Sequence, residues 1–150
     1  MGLREKIIED MKTAMKSGDK VRLETIRSVR ALILEFDKSG ANRELTPEDE
    51  IAMLSTAVKK RKESVEMFTN AGRMELADKE SAELKILQEY LPKQFSEDEI
   101  IEEIKAIAAQ VNASTKADFG KLMPAVMKSL KGKADGKAVK ALVEKFLGVN

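Results

Sequence analysis

Apolar residues recur along this chain at spacings of three and four, which is the repeat of one face of an α-helix. Leu3, Ile7, Met11 and Ala14 form the first such stripe. Strand-like alternation of apolar and polar residues is hard to find over any useful length. The pattern therefore predicts an all-α protein.

Local signals place the ends of the predicted helices. Gly18 ends the first helix, and Asp19 is suited to cap the second. Thr46 and Pro47 mark the start of the third, because threonine caps a helix and proline needs no amide donor at the first helical position. The segment Ser96-Glu97-Asp98-Glu99 is a capping box that opens the fifth.

Six more apolar stripes follow the first, three before Pro92 and three after it. Their members are, in order, Leu23, Ile26, Ile33 and Phe36; Ile51, Leu54, Val58, Val65 and Phe68; Leu84, Leu87 and Leu91; Ile100, Ile104, Ile107 and Val111; Phe119, Leu122, Met123, Val126 and Leu130; Val139, Leu142, Val143 and Phe146. Pro124 predicts a kink or a late start of the sixth helix. With Pro92–Phe95 as a linker, we expect a four-helix bundle over residues 1–92 and a three-helix bundle over residues 96–150.

Composition restricts the chemistry, because the 150 residues include no histidine, cysteine or tryptophan. Imidazole bases, thiolate nucleophiles and the usual zinc ligands are therefore absent, and a disulfide framework is excluded. The carboxylates, the lysines and the single tyrosine lie in no recognisable catalytic context. We expect no catalytic, cofactor-binding or metal-binding residue.

No apolar run approaches the ~18 residues that a membrane span needs, and the N-terminus has no signal-peptide pattern. We therefore expect a cytoplasmic protein with no membrane partner.

Charge is distributed unevenly along the chain. From Asn112 to Asn150 eight lysines stand against three acidic side chains, a balance of +5, although the whole chain carries only +1. The first 111 residues must therefore carry −4. A basic surplus confined to one end is typical of a protein with a polyanionic partner, most commonly nucleic acid.

Several short motifs resemble those of one known family. They are Asp118–Met123, Lys131–Lys137 and Glu89–Pro92, with weaker support from Arg61–Ser64 and Ala71–Arg73. On these residues the whole chain resembles the YqeY family. The C-terminal module of that family is similar to the tail domain of one component of the tRNA-dependent amidotransferase.

The resemblance implies a four-helix bundle followed by a three-helix bundle, and kinship with a tail that lies against tRNA. It brings no active site, because the ATP-using and metal-binding region of the amidotransferase component lies in a separate domain outside the matching stretch. The carbon-nitrogen ligase activity linked to the family name is therefore assigned to no residue of this chain.

The basic C-terminal segment holds the candidate nucleic-acid site, formed by Lys121, Lys128, Lys131, Gly132, Lys133, Gly136, Lys137 and Lys140. In one interpretation Gly132 and Gly136 let the backbone approach a phosphate, while lysines and the amides of the next helix start neutralise it. In the other, Gly132 ends one helix, Asp135 caps the next, and the lysines keep the turn soluble. The two interpretations are compatible.

A second basic run, Lys59–Lys62, points round most of the circumference of its helix. Glu63 and Glu66 lie four residues beyond Lys59 and Lys62, so we expect solvated ion pairs on the helix surface. Six methionines are mostly core residues by spacing, although exposed ones would suit an adaptable protein-binding surface: Met11, Met15, Met53, Met67, Met123 and Met127.

Three hypotheses for the function follow. The first is a tRNA-associated binding module whose lysines contact phosphates, since no aromatic residue is expected near them to stack bases. The second is a helical protein-interaction adaptor without RNA binding. The third is an auxiliary to a glutamine-dependent amide ligase. The candidate partners are tRNA and a protein such as the amidotransferase, and we expect a monomer or a weak oligomer.

Overall fold

A computed structural model describes residues 2–148, so the outer ends of both predicted domains, residues 1 and 150, lie outside the described residues. Within this range the chain forms seven α-helices, one short 3-10 helix and no strand. The all-α prediction is confirmed. The elements are α1 (Leu3–Ser17), α2 (Lys20–Lys38), α3 (Pro47–Asn70), α4 (Met74–Gln88), α5 (Glu97–Val111), the 3-10 helix (Lys116–Asp118), α6 (Phe119–Ser129) and α7 (Gly136–Phe146).

The chain divides into two compact units at the junction of Leu91 and Pro92. The N-terminal unit contains α1 to α4, and the C-terminal unit contains α5 to α7. The buried core of the N-terminal unit is formed by Leu3, Ile7, Ala14, Ile26, Val29, Ile33, Leu54, Val58 and Leu87. That of the C-terminal unit is formed by Ile100, Ile104, Ile107, Ala108, Ala113, Leu122, Val126, Leu130, Val139, Val143 and Leu147.

Helix ends follow the predicted chemistry. Gly18 has a φ of 73°, a left-handed value that favours glycine, and the Asp19 carboxylate caps α2. Thr46–Asp49 and Ser96–Glu99 each form a reciprocal capping box, in which the hydroxyl and the carboxylate each accept a bond from the other residue's backbone amide. The starts of α2, α3 and α5 are therefore set by local sequence.

Three details differ from the expectations. Helix α4 ends at Gln88 and does not reach Leu91. Helix α6 begins five residues before Pro124, so the late start is wrong. Because proline has no amide donor, the carbonyl oxygen of Gly120 lacks its usual helical partner at Pro124. Gly120 is exposed, so water can bond this oxygen instead. Phe146 is 39% exposed, because the inward stripe of α7 continues to the buried Leu147 instead.

An ionic contact joins α3 to α4. Arg61 Nη1 lies 3.3 Å from a carboxylate oxygen of Glu80 and 3.3 Å from one of Glu83. The Glu83 side chain is only 8% exposed. Its burial raises the pKa of the carboxyl group, and the charge of Arg61 acts in the opposite direction.

The ion pairs expected of Lys59 with Glu63 and of Lys62 with Glu66 do not form. Within residues 2–148, the ion-paired member of this basic run is Arg61, which reaches across to α4. Exposed pairs of this kind gain little in water. Lys59 and Lys60 are exposed, and Lys62 is partly buried. Over the same residues, no helix is long and apolar enough to cross a bilayer.

Candidate nucleic-acid interface

The loop between α6 and α7 turns at Gly132, whose φ is 76°. Only glycine adopts this left-handed value without strain. The amide of Lys133 donates a 2.8 Å bond to the carbonyl oxygen of Leu130, which closes the turn. The Asp135 carboxylate caps α7 by accepting a bond from the amide of Ala138 at 3.4 Å. The capping role predicted for Asp135 is confirmed. Helix α6 ends at Ser129, so Gly132 turns the loop after the helix and does not itself end it.

Residues 92–95, which the sequence suggested to be a linker, lie against this loop, and we call them the arm. Gln94 Nε2 donates to the carbonyl oxygens of Pro92 at 2.8 Å and of Gly132 at 2.7 Å. The amide of Phe95 donates to the carbonyl oxygen of Lys133 at 2.8 Å. The arm therefore covers two neighbouring carbonyl oxygens at the centre of the loop.

An aromatic ring does accompany the lysines. Phe95 is partly buried against the core of the C-terminal unit, and Lys133 Nζ lies 5.7 Å from the centroid of its ring. This distance is within the range of a cation–π contact. The expectation that no aromatic residue lies near the lysines is therefore wrong. The sequence did offer one signal of this contact, because Phe95 is an apolar residue at the end of an otherwise polar linker.

Most of the candidate lysines are accessible. The exposed ones are Lys121, Lys128, Lys131, Lys137 and Lys140. Lys133 is partly buried beside the arm. Two have an acidic neighbour on the surface: Lys121 Nζ lies 3.5 Å from Asp118, and Lys140 Nζ lies 3.9 Å from Glu144. Such exposed pairs are weak, so a phosphate can compete for both lysines.

The lysines fall into three local groups. Lys121 and Lys128 are seven residues apart on α6 and share one face of it. Lys131 and Lys133 lie in the loop, and Lys137 begins the face of α7 that continues to Lys140. The structure thus places all six on the α6–α7 hairpin and its loop.

Asp118 places a fixed negative charge at the far end of α6. Its carboxylate accepts bonds from the amides of Ser114 at 2.8 Å and Thr115 at 2.9 Å. These two bonds, with a smaller effect of Lys121, lower the pKa of Asp118 to about 2. Asp118 is therefore ionised at neutral pH, and Lys121 is the candidate lysine whose charge is most nearly balanced.

Gly136 has a packing explanation. A Cβ atom at this position would lie 3.3 Å from Cε of Met127 on α6. The absence of a side chain therefore lets the start of α7 approach Met127 closely. The phosphate-contacting role of Gly136 stays a prediction.

The acidic side chains form no metal-binding cluster: within residues 2–148, no three are grouped so as to hold a metal ion.

These features define a small all-helical protein with two compact units, the second of which carries a lysine-bearing helical hairpin. A family model described as Yqey-like protein matches residues 4–147. The chain therefore belongs to the Yqey-like family, and the resemblance seen in its motifs is confirmed over nearly its whole length.

Two curated proteins are similar to this chain. A protein of Pyrenophora tritici-repentis named altered inheritance of mitochondria protein 41, mitochondrial, is 33% identical over 144 residues, which covers 93% of this chain and 77% of the relative. An uncharacterised protein of Schizosaccharomyces pombe is 28% identical over 94 residues, which covers 63% of this chain and 72% of the relative. Neither name states a ligand or a reaction.

Proposed function

We propose that this protein is a tRNA-associated accessory binding module, related to the tail of the tRNA-dependent amidotransferase, that contacts RNA phosphates through its C-terminal lysines. We also propose that its two units fold separately as a four-helix and a three-helix bundle. Recognition would be of shape and backbone, because the ring of Phe95 is partly buried and engaged by Lys133.

The arrangement of the α6–α7 loop carries the proposal. An exposed carbonyl oxygen repels the oxygen atoms of a phosphate, and the arm bonds the carbonyl oxygens of Gly132 and Lys133. Lys131 and Lys137 stay exposed on either side of them. The loop therefore offers cationic side chains with two nearby acceptors masked, which suits a polyanion.

The test is fluorescence anisotropy of labelled bulk tRNA, with Lys131, Lys133 and Lys137 all changed to Glu. We expect wild-type binding to weaken steeply with salt. A plot of the logarithm of the binding constant against the logarithm of the salt concentration should have a negative slope of about 0.7–0.9 for each phosphate contacted. The triple variant should lose binding. The matched control changes Lys12, Lys20 and Lys59, three exposed lysines of the N-terminal unit, to Glu. Equal binding by the wild type and the first variant contradicts the proposal.

Exposed methionines favour a second candidate, the protein-interaction adaptor. Near the turn between α3 and α4, the side chains of Met67 and Met74 are 59% and 53% exposed, and Leu76 is 40% exposed. Flexible apolar side chains of this kind suit adaptable protein contacts. Pull-down after nuclease treatment separates the two candidates, because a directly bound protein partner stays bound and an RNA-bridged one is lost. A directly bound partner should in turn be lost when both methionines are changed to Ser.

The third function, an auxiliary role in amide ligation, is supported by the family resemblance alone. The pure protein should then show glutamine-dependent amidation activity when it is given tRNA and ATP. If the protein is inactive and also fails to bind ATP, this idea is dismissed. Cytoplasmic location likewise stays a prediction, since the Pyrenophora relative is named as mitochondrial.

A further inference from the structure

The exposed large apolar side chains of this protein differ in kind between its two units. Those of the N-terminal unit include no aromatic ring, and they are Ile8, Met15, Leu34, Met67, Met74 and Leu76. Over residues 92–148 the exposed large apolar side chain is Phe146 on α7, whose ring is 39% exposed. Single exposed apolar residues are ordinary on a protein surface, so exposure alone decides nothing. What distinguishes Phe146 is that its ring lies on a helix that carries candidate phosphate-binding lysines.

The other aromatic rings of the C-terminal unit are committed to packing. Phe95 and Phe119 are both partly buried against the core of this unit. The ring of Phe95 also has the ammonium group of Lys133 at 5.7 Å from its centroid. Phe146 is more exposed than either. It is therefore the aromatic side chain of this unit that a ligand reaches most easily.

The surroundings of this ring on α7 are cationic and uncrowded. The helix carries three lysines and a single glutamate. Lys145, directly before Phe146, is exposed and forms no ion pair with any residue from 2 to 148. Ala138 and Ala141 are also exposed on α7, and a methyl group is too short to cover the ring. A positively charged surface with an accessible aromatic ring is the combination that binds unpaired nucleotides.

We propose that Phe146 stacks on an unpaired base of the bound RNA, while Lys145 contacts a phosphate beside that base. This inference rests on the proposed RNA function and adds one base contact to its backbone contacts. Every base has a π-face, so stacking on the ring depends little on sequence. The stacking contact is therefore compatible with recognition of shape and backbone by the other lysines.

The test is fluorescence anisotropy of the full chain with labelled bulk tRNA, a short oligouridine and an RNA duplex, each at several salt concentrations. Phe146→Leu should weaken binding to tRNA and oligouridine about tenfold, which is within the range for one lost stacking contact. Binding to the duplex should stay unchanged, because its bases are paired and already stacked. Phe146→Tyr keeps an aromatic ring and should keep the wild-type affinity.

The salt dependence separates stacking from charge. Phe146→Leu removes no phosphate contact, so the slope of the log–log salt plot should stay unchanged. Lys145→Met should make that slope shallower by about 0.7–0.9, the effect of one lost phosphate contact. The matched control is Leu34→Ala, which removes a 43% exposed apolar side chain from the N-terminal unit and should leave all three affinities unchanged.

The inference is overturned if Phe146→Leu leaves tRNA and oligouridine binding unchanged, weakens duplex binding equally, or changes the salt slope as Lys145→Met does. Loss of affinity in Phe146→Tyr, or equal weakening by Leu34→Ala, overturns it as well. So does loss of binding to phosphatidylserine vesicles by Phe146→Leu with RNA affinity intact, since the ring would then serve a membrane surface.

The tRNA proposal fails separately. It fails if the triple change of Lys131, Lys133 and Lys137 leaves tRNA binding unchanged, whatever the result at Phe146. A wild-type protein that binds none of the three RNAs overturns both proposals.

Discussion

The backbone amide of Phe95 donates a 2.8 Å hydrogen bond to the carbonyl oxygen of Lys133, and the ammonium group of Lys133 lies 5.7 Å from the centroid of the Phe95 ring. The two residues therefore make contact twice, once through the backbone and once through their side chains. The backbone bond does not depend on side-chain identity, so the side-chain contact can be tested alone.

Phe95→Leu should keep most of the apolar packing and remove the cation–π contact. We expect the C-terminal unit to lose about 0.5–1 kcal/mol of stability. The measurement is hydrogen exchange at the buried amide of Val139, in a double-mutant cycle with Lys133→Met. Phe119→Leu, a change at another partly buried aromatic of this unit, is the control. Strictly additive losses for Phe95 and Lys133 contradict the prediction.

Gln94→Ala should loosen the loop between α6 and α7. The change removes the bonds from Nε2 to the carbonyl oxygens of Pro92 and Gly132. We expect a loss of about 1–2 kcal/mol, since each bond contributes about 0.5–1.5. Amide exchange at Lys133 reports the effect. The control is Gln110→Ala, at an exposed position of α5. If this control changes amide exchange at Lys133 as much as Gln94→Ala does, the two bonds of Gln94 contribute nothing to the stability of the loop.

Two glycines of the same loop should respond differently to alanine. Gly132→Ala forces a left-handed φ of 76° on a residue with a side chain, so we expect it to cost about 1–2 kcal/mol. Gly136→Ala needs only a small movement of the flexible end of Met127, and we expect a change below about 0.5 kcal/mol. Thermal unfolding of both variants checks this order. If Gly136→Ala nevertheless weakens tRNA binding, the phosphate-contacting role of Gly136 gains direct support.

Tyr90, the single tyrosine, allows an unambiguous titration. Its hydroxyl donates to Asp10 Oδ2 at 2.6 Å, and burial together with this bond raises the pKa of the phenol above its ordinary 10.0. The unfolded chain therefore loses this proton first, so the stabilisation is complete below pH 10.0 and is lost as pH rises above it. Phenolate absorbance should appear only above that pH. Tyr90→Phe should cost about 1 kcal/mol at neutral pH. A midpoint at the ordinary value in the folded protein contradicts the assignment.

Arg61→Met should leave the carboxylate of Glu83 buried without its counter-charge. We expect a loss of about 3 kcal/mol at neutral pH, measured by urea unfolding. Burial already raises the pKa of Glu83 in the folded state, and removal of Arg61 should raise it further. The cost of the buried charge is therefore absent below the ordinary pKa of 4.5 and grows as pH rises through the folded value. The deficit should shrink under mild acid, and adding Glu83→Gln should recover part of it. A deficit that is independent of pH contradicts this account.

The sequence predicted those features that depend on neighbouring residues. Helical periodicity, the caps at Thr46, Ser96 and Asp135, and the turn at Gly132 each involve groups within about one helical turn of each other. Helical class and most helix bounds were therefore accessible before the structure.

The features that were missed depend on residues far apart in the chain. Nothing in the spacing of Arg61 indicates that Glu80 and Glu83 lie beside it. The pairs expected for this basic run were those of Lys59 and Lys62 with acidic residues on their own helix. The contact of Phe95 with Lys133 likewise requires the loop between α6 and α7 to lie beside the residues that precede α5. Such contacts follow from tertiary packing, which periodicity alone does not determine.

The arm has a practical consequence for cutting this protein into parts. A fragment that begins at Ser96 keeps α5, α6 and α7 intact, yet only water remains to bond the carbonyl oxygens of Gly132 and Lys133. A fragment that begins at Pro92 keeps both partners. A cut at the helix boundary would therefore expose acceptors in the segment that we propose contacts RNA, and weak binding by such a fragment would reflect the position of the cut.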